Sequence, residues 1–371
     1  MLSRTMSGGT PSPPPAEPPP AGDAARVVRR RPPRTRAHRT PARSRPPIAL
    51  VGGVGIAAVV ALLVLGAAWS RGPRPTLGRA AGVDATVEAL PSAGCTPESG
   101  PATATPAGVT TREAPGVPGT GERAYRWATP AQAAGVPVGV VLALPDTGQD
   151  AGTFQRLTGF EDAAVAAGVA VATLEPVAPE RELNVAQDRR RSDDAVHAVM
   201  LLEDLAATTC VDLRRTWVVG WGVGAQMGGA LACIRPEYVA AVAGVGGGFL
   251  PDACPLDPPV SLLSLWARDD PVQPYDGGVG SAGPTGPRGA ARVPNAGAVD
   301  VTNRWAETLG AGPTRDATGG AGAAGSEVTM RSGGRAGSSV VLVTEATGGH
   351  GWPADANERI LQFLRDHARA S

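Results

Sequence analysis

The sequence predicts an α/β fold, a mostly parallel sheet with helices on both faces, from three observations. Six runs are short, largely apolar and bounded by turn residues. Five other stretches carry apolar residues at helical spacing. The two patterns alternate along the chain, as a parallel sheet requires when each strand returns by a crossover.

Taken in order, residues 138–144 (VGVVLAL) hold no polar side chain and predict a strand buried on both faces. The periodicity of 154–167 predicts a helix, and 169–174 (VAVATL) the next strand. A helix over 192–207 follows, with Ser192 as its N-cap. Residues 216–220 (TWVVG) form a strand that runs into a helix of small residues, 224–234. Strands follow at 240–245 and 260–266, a helix at 299–309, a strand at 340–344, and a last helix over 355–368 capped by Asp355. Two glycine-rich segments, 277–297 and 311–337, read as loop insertions into this domain, which covers 121–371.

Ahead of residue 121 the composition changes. Residues 1–47 form a Pro/Arg-rich tail whose ten arginines face only Glu17 and Asp23, a charge of about +8 in a chain of net charge zero. The next 22 residues, 48–69, carry no charge and are long enough at 1.5 Å per residue to cross a bilayer core. They predict a single transmembrane helix. Nine arginines between Arg26 and Arg45 precede it, and only Arg71, Arg74 and Arg79 follow closely, so the N-terminus is expected in the cytoplasm and the C-terminal domain outside. Secretion after signal-peptide cleavage is the competing reading, against which stand the long charged region and the length of the apolar run. Residues 70–120, rich in proline, glycine and threonine, read as a linker with a short ordered piece at Cys95. Every basic residue is arginine, a compositional bias, and the basic tail reads as a topology signal, with no nucleic-acid partner implied.

All four cysteines, Cys95, Cys210, Cys233 and Cys254, fall on the exported side, where an even number predicts two disulfides. Three pairings are open. Spacing favours Cys233 with Cys254, closing a short loop, and Cys95 with Cys210, tying the start of the domain to its body.

The chemistry-bearing residues follow the strands. After the strand ending at Gly220 the chain reads Gly220-Trp221-Gly222-Val223-Gly224, a nucleophile-elbow pattern with glycine at its centre. Asp270 follows the strand at 260–266 as a candidate acid, with Asp269 beside it as the alternative. His350, in Gly348-Gly349-His350-Gly351-Trp352-Pro353, follows the last strand as a candidate base. The order nucleophile, acid, histidine is that of an α/β-hydrolase. No cysteine and histidine cluster has metal-ligand spacing and no phosphate-binding loop is present, since Gly244 to Gly248 is only a glycine run after a strand; no metal or other cofactor is expected.

From about Cys95 onward the chain resembles the secreted polyhydroxybutyrate depolymerase and feruloyl esterase group of α/β-hydrolases. The matching residues are Ser92 to Cys95, Cys210 to Asp212, Leu231 to Cys233, Asp270 with Pro274 to Gly278, and Gly349 to Pro353. The resemblance implies an ester-hydrolase scaffold with Asp270 and His350 as acid and base. It also exposes two departures. The family's elbow serine falls on Gly222, and its His-Gly pair after the first core strand, part of the oxyanion loop, falls on Pro145-Asp146.

Glycine has no side chain to attack an ester, and it adopts the strained elbow conformation without the steric cost a serine bears. The backbone N–H groups of Val223 and Thr147 are expected to form an anion-attracting niche, with the Asp146 carboxylate opposing any oxyanion there; Asp146 itself reads as a turn residue. Trp221, Trp266, Trp305 and Trp352 read as core, with a pocket lining as the alternative. The expectation is a membrane-anchored pseudoenzyme that binds ester polymers or cell-wall material. The alternatives are a working hydrolase with another nucleophile or an activated water, and a purely structural exported module.

Overall fold

Every residue of 138–144 except Gly139 is buried, and successive side chains enter opposite cores, so this strand needs cover on both faces. The computed structural model describes residues 87–95, 106–116, 121–132, 135–179, 181–185, 193–280, 295–313, 315–316 and 326–370. The tail at 1–47 and the apolar span at 48–69 lie outside them. Among the described residues no helix is long and apolar enough to cross a membrane.

Among the described residues ten strands form one sheet: β1 (Gly108–Ala114), β2 (Arg123–Thr129), β3 (Val138–Leu144), β4 (Ala170–Leu174), β5 (Val211–Trp221), β6 (Ala241–Val245), β7 (Ser261–Ala267), β8 (Arg315–Asp316), β9 (Ser326–Arg331) and β10 (Val340–Glu345). Their order is β1-β2-β4-β3-β5-β6-β7-β10-β9-β8. The central six, β4 to β10 in that order, run parallel, and the outer pairs on both sides are antiparallel.

Six α-helices of the described residues cover the sheet: α1 (Ala151–Thr158), α2 (Phe160–Ala166), α3 (Asp194–Thr208), α4 (Val223–Ile234), α5 (Ala298–Leu309) and α6 (Ala356–Asp366). One core joins Val140, Leu142 and Val218 to Leu201 and Leu205 of α3, Met227 and Leu231 of α4 and Trp305 of α5. The other joins Val141, Ala143 and Val219 to Phe154, Phe160 and the α6 residues Ile360, Phe363 and Leu364. Alternation along β3 and β5 therefore feeds two cores.

The differences from the sequence reading have local causes. The helix expected over 154–167 is two helices, because Gly159 adopts φ 60° and closes α1 with its N–H on Gln155 O. At α3 the cap is Asp193, whose carboxylate accepts Val196 N–H; Ser192 lies outside the described residues. Asp355 makes no side-chain cap bond and instead holds Arg359 at 2.7 Å. The linker expected over 70–120 contributes β1, and the insertion expected over 311–337 contributes β8 and β9. These strands lie at the outer ends of the sheet, where β1 is exposed along all but its last residue, so none carries a continuous apolar run.

The sulfurs join Cys95 to Cys210 and Cys233 to Cys254. The first bridge fastens the 87–95 segment to the start of β5, where Ser92 N–H donates to Val211 O and Leu90 N–H to Asp212 Oδ1. The second closes the end of α4 onto the loop before β7. Converting Cys95 and Cys210 together to serine should lower stability by roughly 2–4 kcal/mol in urea unfolding at constant pH, from the loop-closure entropy returned to the unfolded chain.

Candidate functional site

The C-terminal ends of β3, β5, β7 and β10 lie at one edge of the parallel sheet, where ligand crevices of such sheets form. Each sends one residue to a common point: Asp146 from the turn after β3, Gly222 from the turn after β5, Asp270 after β7 and His350 after β10. The β3 turn can approach the elbow because Gly224 lacks a side chain; a Cβ there would lie 2.0 Å from Leu144 O. Gly222 sits at φ 53°, ψ −116°, a conformation that L side chains rarely adopt.

His350 is held on both sides. Its Nδ1 lies 2.8 Å from Asp270 Oδ2, and its Nε2 lies 2.9 Å from Asp146 Oδ2. Asp270 is fully buried, and its Oδ1 accepts the N–H groups of Val272 and Gln273, both at 2.8 Å. Asp269, the alternative acid, turns away from the imidazole and accepts Gly349 N–H at 2.8 Å, which fixes the loop carrying His350. A carboxylate only accepts, so two carboxylate partners call for a proton on each ring nitrogen. Burial alone would push the His350 pKa down, but the hydrogen bonds and charges of Asp146 and Asp270 outweigh it and raise the value to about 9. At neutral pH the imidazole is a cation between two carboxylates.

The place of Asp146 decides the chemistry. A Cβ built on Gly222 would lie 2.1 Å from Asp146 Oδ1, 2.4 Å from its Cγ and 2.8 Å from Oδ2, so this carboxylate occupies the space that a side chain at 222 would fill. Oδ1 accepts Val223 N–H at 2.9 Å. That donor opens α4, and the helix terminus favours the negative charge. Of the two niche donors expected from the sequence, Val223 is engaged by Asp146. The Thr147 hydroxyl is buried without a protein partner. Asp146 is thus more than a turn residue: it bridges the elbow and the histidine.

Aromatic residues support the site from below. The Trp221 ring lies 6.1 Å from His350 and edge-on to Trp352 at 5.8 Å, and Phe154 packs on Trp352 at 5.6 Å. Trp266 and Trp305 are core residues whose indole N–H groups donate to Gln273 O and Val260 O. A cavity of about 300 Å³ is lined by Leu265, Trp266, Trp352 and, from the histidine loop, Gly348 and Gly349. An amide cluster unnoticed in the sequence flanks the acid loop: Gln226 of α4 donates to Gln273 Oε1 and Asn295 Oδ1. Its residues are far apart in the chain and belong to no motif, so no local signal marks them. Among the described residues no group of three or more His, Cys, Asp or Glu is arranged to hold a metal.

No protein family model matches the chain. Over 162 residues it is 32% identical to NocK of Nocardia uniformis subsp. tsuyamanensis, a protein provisionally named an esterase; the match covers 42% of this chain and 47% of that one. It is 30% identical over 97 residues to feruloyl esterase C of Emericella nidulans, covering 26% of this chain and 36% of that one. The chain therefore spans less than half the length of these curated relatives. Among solved structures, acetyl xylan esterase from Aspergillus awamori aligns with a TM-score of 0.48 at 13% identity, over 69% of this chain and 99% of that one. The strand order and the elbow with its acid and histidine have the arrangement of an α/β-hydrolase sheet, and the relatives that the chain matches in part are named as esterases.

Proposed function

We propose that this chain is an esterase-like α/β-hydrolase without serine esterase turnover, which binds ester-bearing polymers or cell-wall material at the cell surface. The observation that carries the reading is the Asp146 carboxylate in the space a serine at 222 would occupy, bonded to both Val223 N–H and His350. With the niche donor taken and the histidine protonated, neither a nucleophilic hydroxyl nor a neutral base is available for ester cleavage. The cavity beside Trp352 is large enough for an aromatic or short acyl group of such a polymer. The uncharged segment at 48–69 would hold the domain at the outer face of the membrane, or direct its secretion if cleaved.

The purified full chain in detergent should show no turnover of nitrophenyl acetate or of feruloyl esters above the protein-free rate. It should sediment with polyhydroxybutyrate granules or with purified cell wall. Efficient ester turnover that disappears in His350→Ala would overturn the first half of the reading. Failure to sediment with either material would overturn the second.

A further inference from the structure

We infer that Asp146 is itself a nucleophile, moved from the elbow to the turn after β3, and that the chemical class it attacks is an epoxide. This goes beyond the polymer-binding reading and does not depend on it. Three features of the site carry the inference. The carboxylate stands where the residue-222 side chain would be, 2.1 to 2.8 Å from an ideal Cβ. Its two oxygens have different partners: Oδ1 accepts the Val223 N–H, and Oδ2 faces His350 Nε2. Its side chain keeps 13% of its surface open to solvent, whereas Asp270 behind the histidine is fully enclosed.

Elementary reactivity selects the substrate. A carboxylate that adds to an ester gives a tetrahedral adduct that expels the carboxylate again, because an alkoxide is the poorer leaving group. The Val223 N–H that would hold the substrate oxyanion is already engaged. An epoxide presents neither obstacle. Its electrophile is a saturated carbon, ring strain drives the bond cleavage, and the departing oxygen needs only a proton, which His350 carries at neutral pH.

The steps balance. Asp146 Oδ2 attacks a ring carbon, the carbon–oxygen ring bond breaks, and the ring oxygen takes the Nε2 proton of His350. This leaves a hydroxyalkyl ester of Asp146 and a neutral imidazole. The imidazole then removes a proton from a water that attacks Cγ of Asp146, and the electron pair displaced onto Oδ1 is held by the Val223 N–H. Collapse breaks the Cγ–Oδ2 bond, and the departing diol oxygen takes the proton back from His350. The carboxylic acid left on Asp146 returns its proton to Nε2, which restores the carboxylate and the imidazolium. The sum is epoxide plus water to a vicinal diol. Asp270 orients the ring through Nδ1.

This route leaves an isotopic mark that binding or ester hydrolysis would not. The full chain in molar excess over styrene oxide, in oxygen-18 water, should form diol with unlabelled new oxygen and acquire heavy oxygen in the Asp146 carboxylate, read by peptide mass spectrometry. Asp146→Asn should lower diol formation at least about 100-fold while the thermal transition is retained, with Asp146→Gly as a second variant if the first does not fold. A covalent hydroxyalkyl adduct on Asp146 without release would also support the nucleophile. Diol formation at the protein-free rate with Asp146 unlabelled and unmodified would overturn the inference, as would diol that carries the solvent label in the first turnover. The ester assay is separate: inertness to esters leaves this outcome open, and ester turnover would not create the label.

Discussion

Gly222→Ser combined with Asp146→Gly should raise hydrolysis of short nitrophenyl esters at least about 1000-fold above the unaltered chain, a fraction of the roughly 10⁶ a triad nucleophile contributes elsewhere. Gly222→Ser alone should restore little. The serine Cβ would enter at 2.1 Å from Asp146 Oδ1, so the carboxylate must move or the elbow must shift. The new side chain would also have to accept φ 53°, at a cost of about 1–3 kcal/mol. Even with room made, the Val223 N–H and His350 remain bonded to Asp146, and the protonated imidazole cannot take the serine proton. Asp146→Gly removes the clash and frees the Val223 N–H and His350, leaving only the φ cost at 222, and it places at 146 the glycine that the resembled esterases carry. Alone it should yield no esterase, because no nucleophile is present. The two changes are therefore strongly non-additive, which the full double-mutant cycle on kcat/KM measures. Single Gly222→Ser matching the double variant, or a folded double variant at background, would show that the Asp146 carboxylate is not the block.

Which parts of this structure the sequence discloses follows from burial. The six central strands are legible because cover on both faces leaves few positions for polar side chains: 138–144, 260–266 and 340–344 differ from their observed bounds by at most one residue. The edges are not, because β1 (GVTTREA) and β9 (SEVTMR) alternate or expose their side chains and resemble polar loops. The same rule explains β5, whose first residues, with Asp212, Arg214 and Arg215, precede the apolar run that marks the strand. In the site, Gly222, Asp270 and His350 are legible because each occupies a fixed offset after a strand. The direction of Asp146 is not. It depends on how closely the backbone at Leu144 and Pro145 passes over Gly224, a tertiary distance with no periodicity to betray it.

Stability should peak near neutral pH and fall by on the order of 3 kcal/mol as pH rises to about 9.5, a loss that His350→Gln abolishes. The folded-state pKa of His350 is about 9, against 6.5 for the ordinary side chain. Between those values the folded chain keeps a proton that the unfolded chain has released, so unfolding becomes easier as pH increases. The contribution is complete below 6.5 and gone above about 9. Asp146→Asn, which leaves Asp270 as the one acidic side chain bonded to the ring, should flatten the limb without removing it. On the acid side the sign reverses. Burial lowers His197 to about 4 and also lowers His367, so between about 4 and 6.5 the unfolded state binds more protons and stability climbs with pH. Tyr125, pushed above its ordinary value by burial, and Tyr238, pushed above it chiefly by its bond to Glu203, do not titrate in the alkaline window. Urea unfolding of the three proteins from about pH 5 to about pH 9.5 reads both limbs. An alkaline limb of equal slope in His350→Gln would mean that the imidazole between Asp146 and Asp270 is neutral, and with it the proton that both the block on ester chemistry and the opening of an epoxide require would be absent.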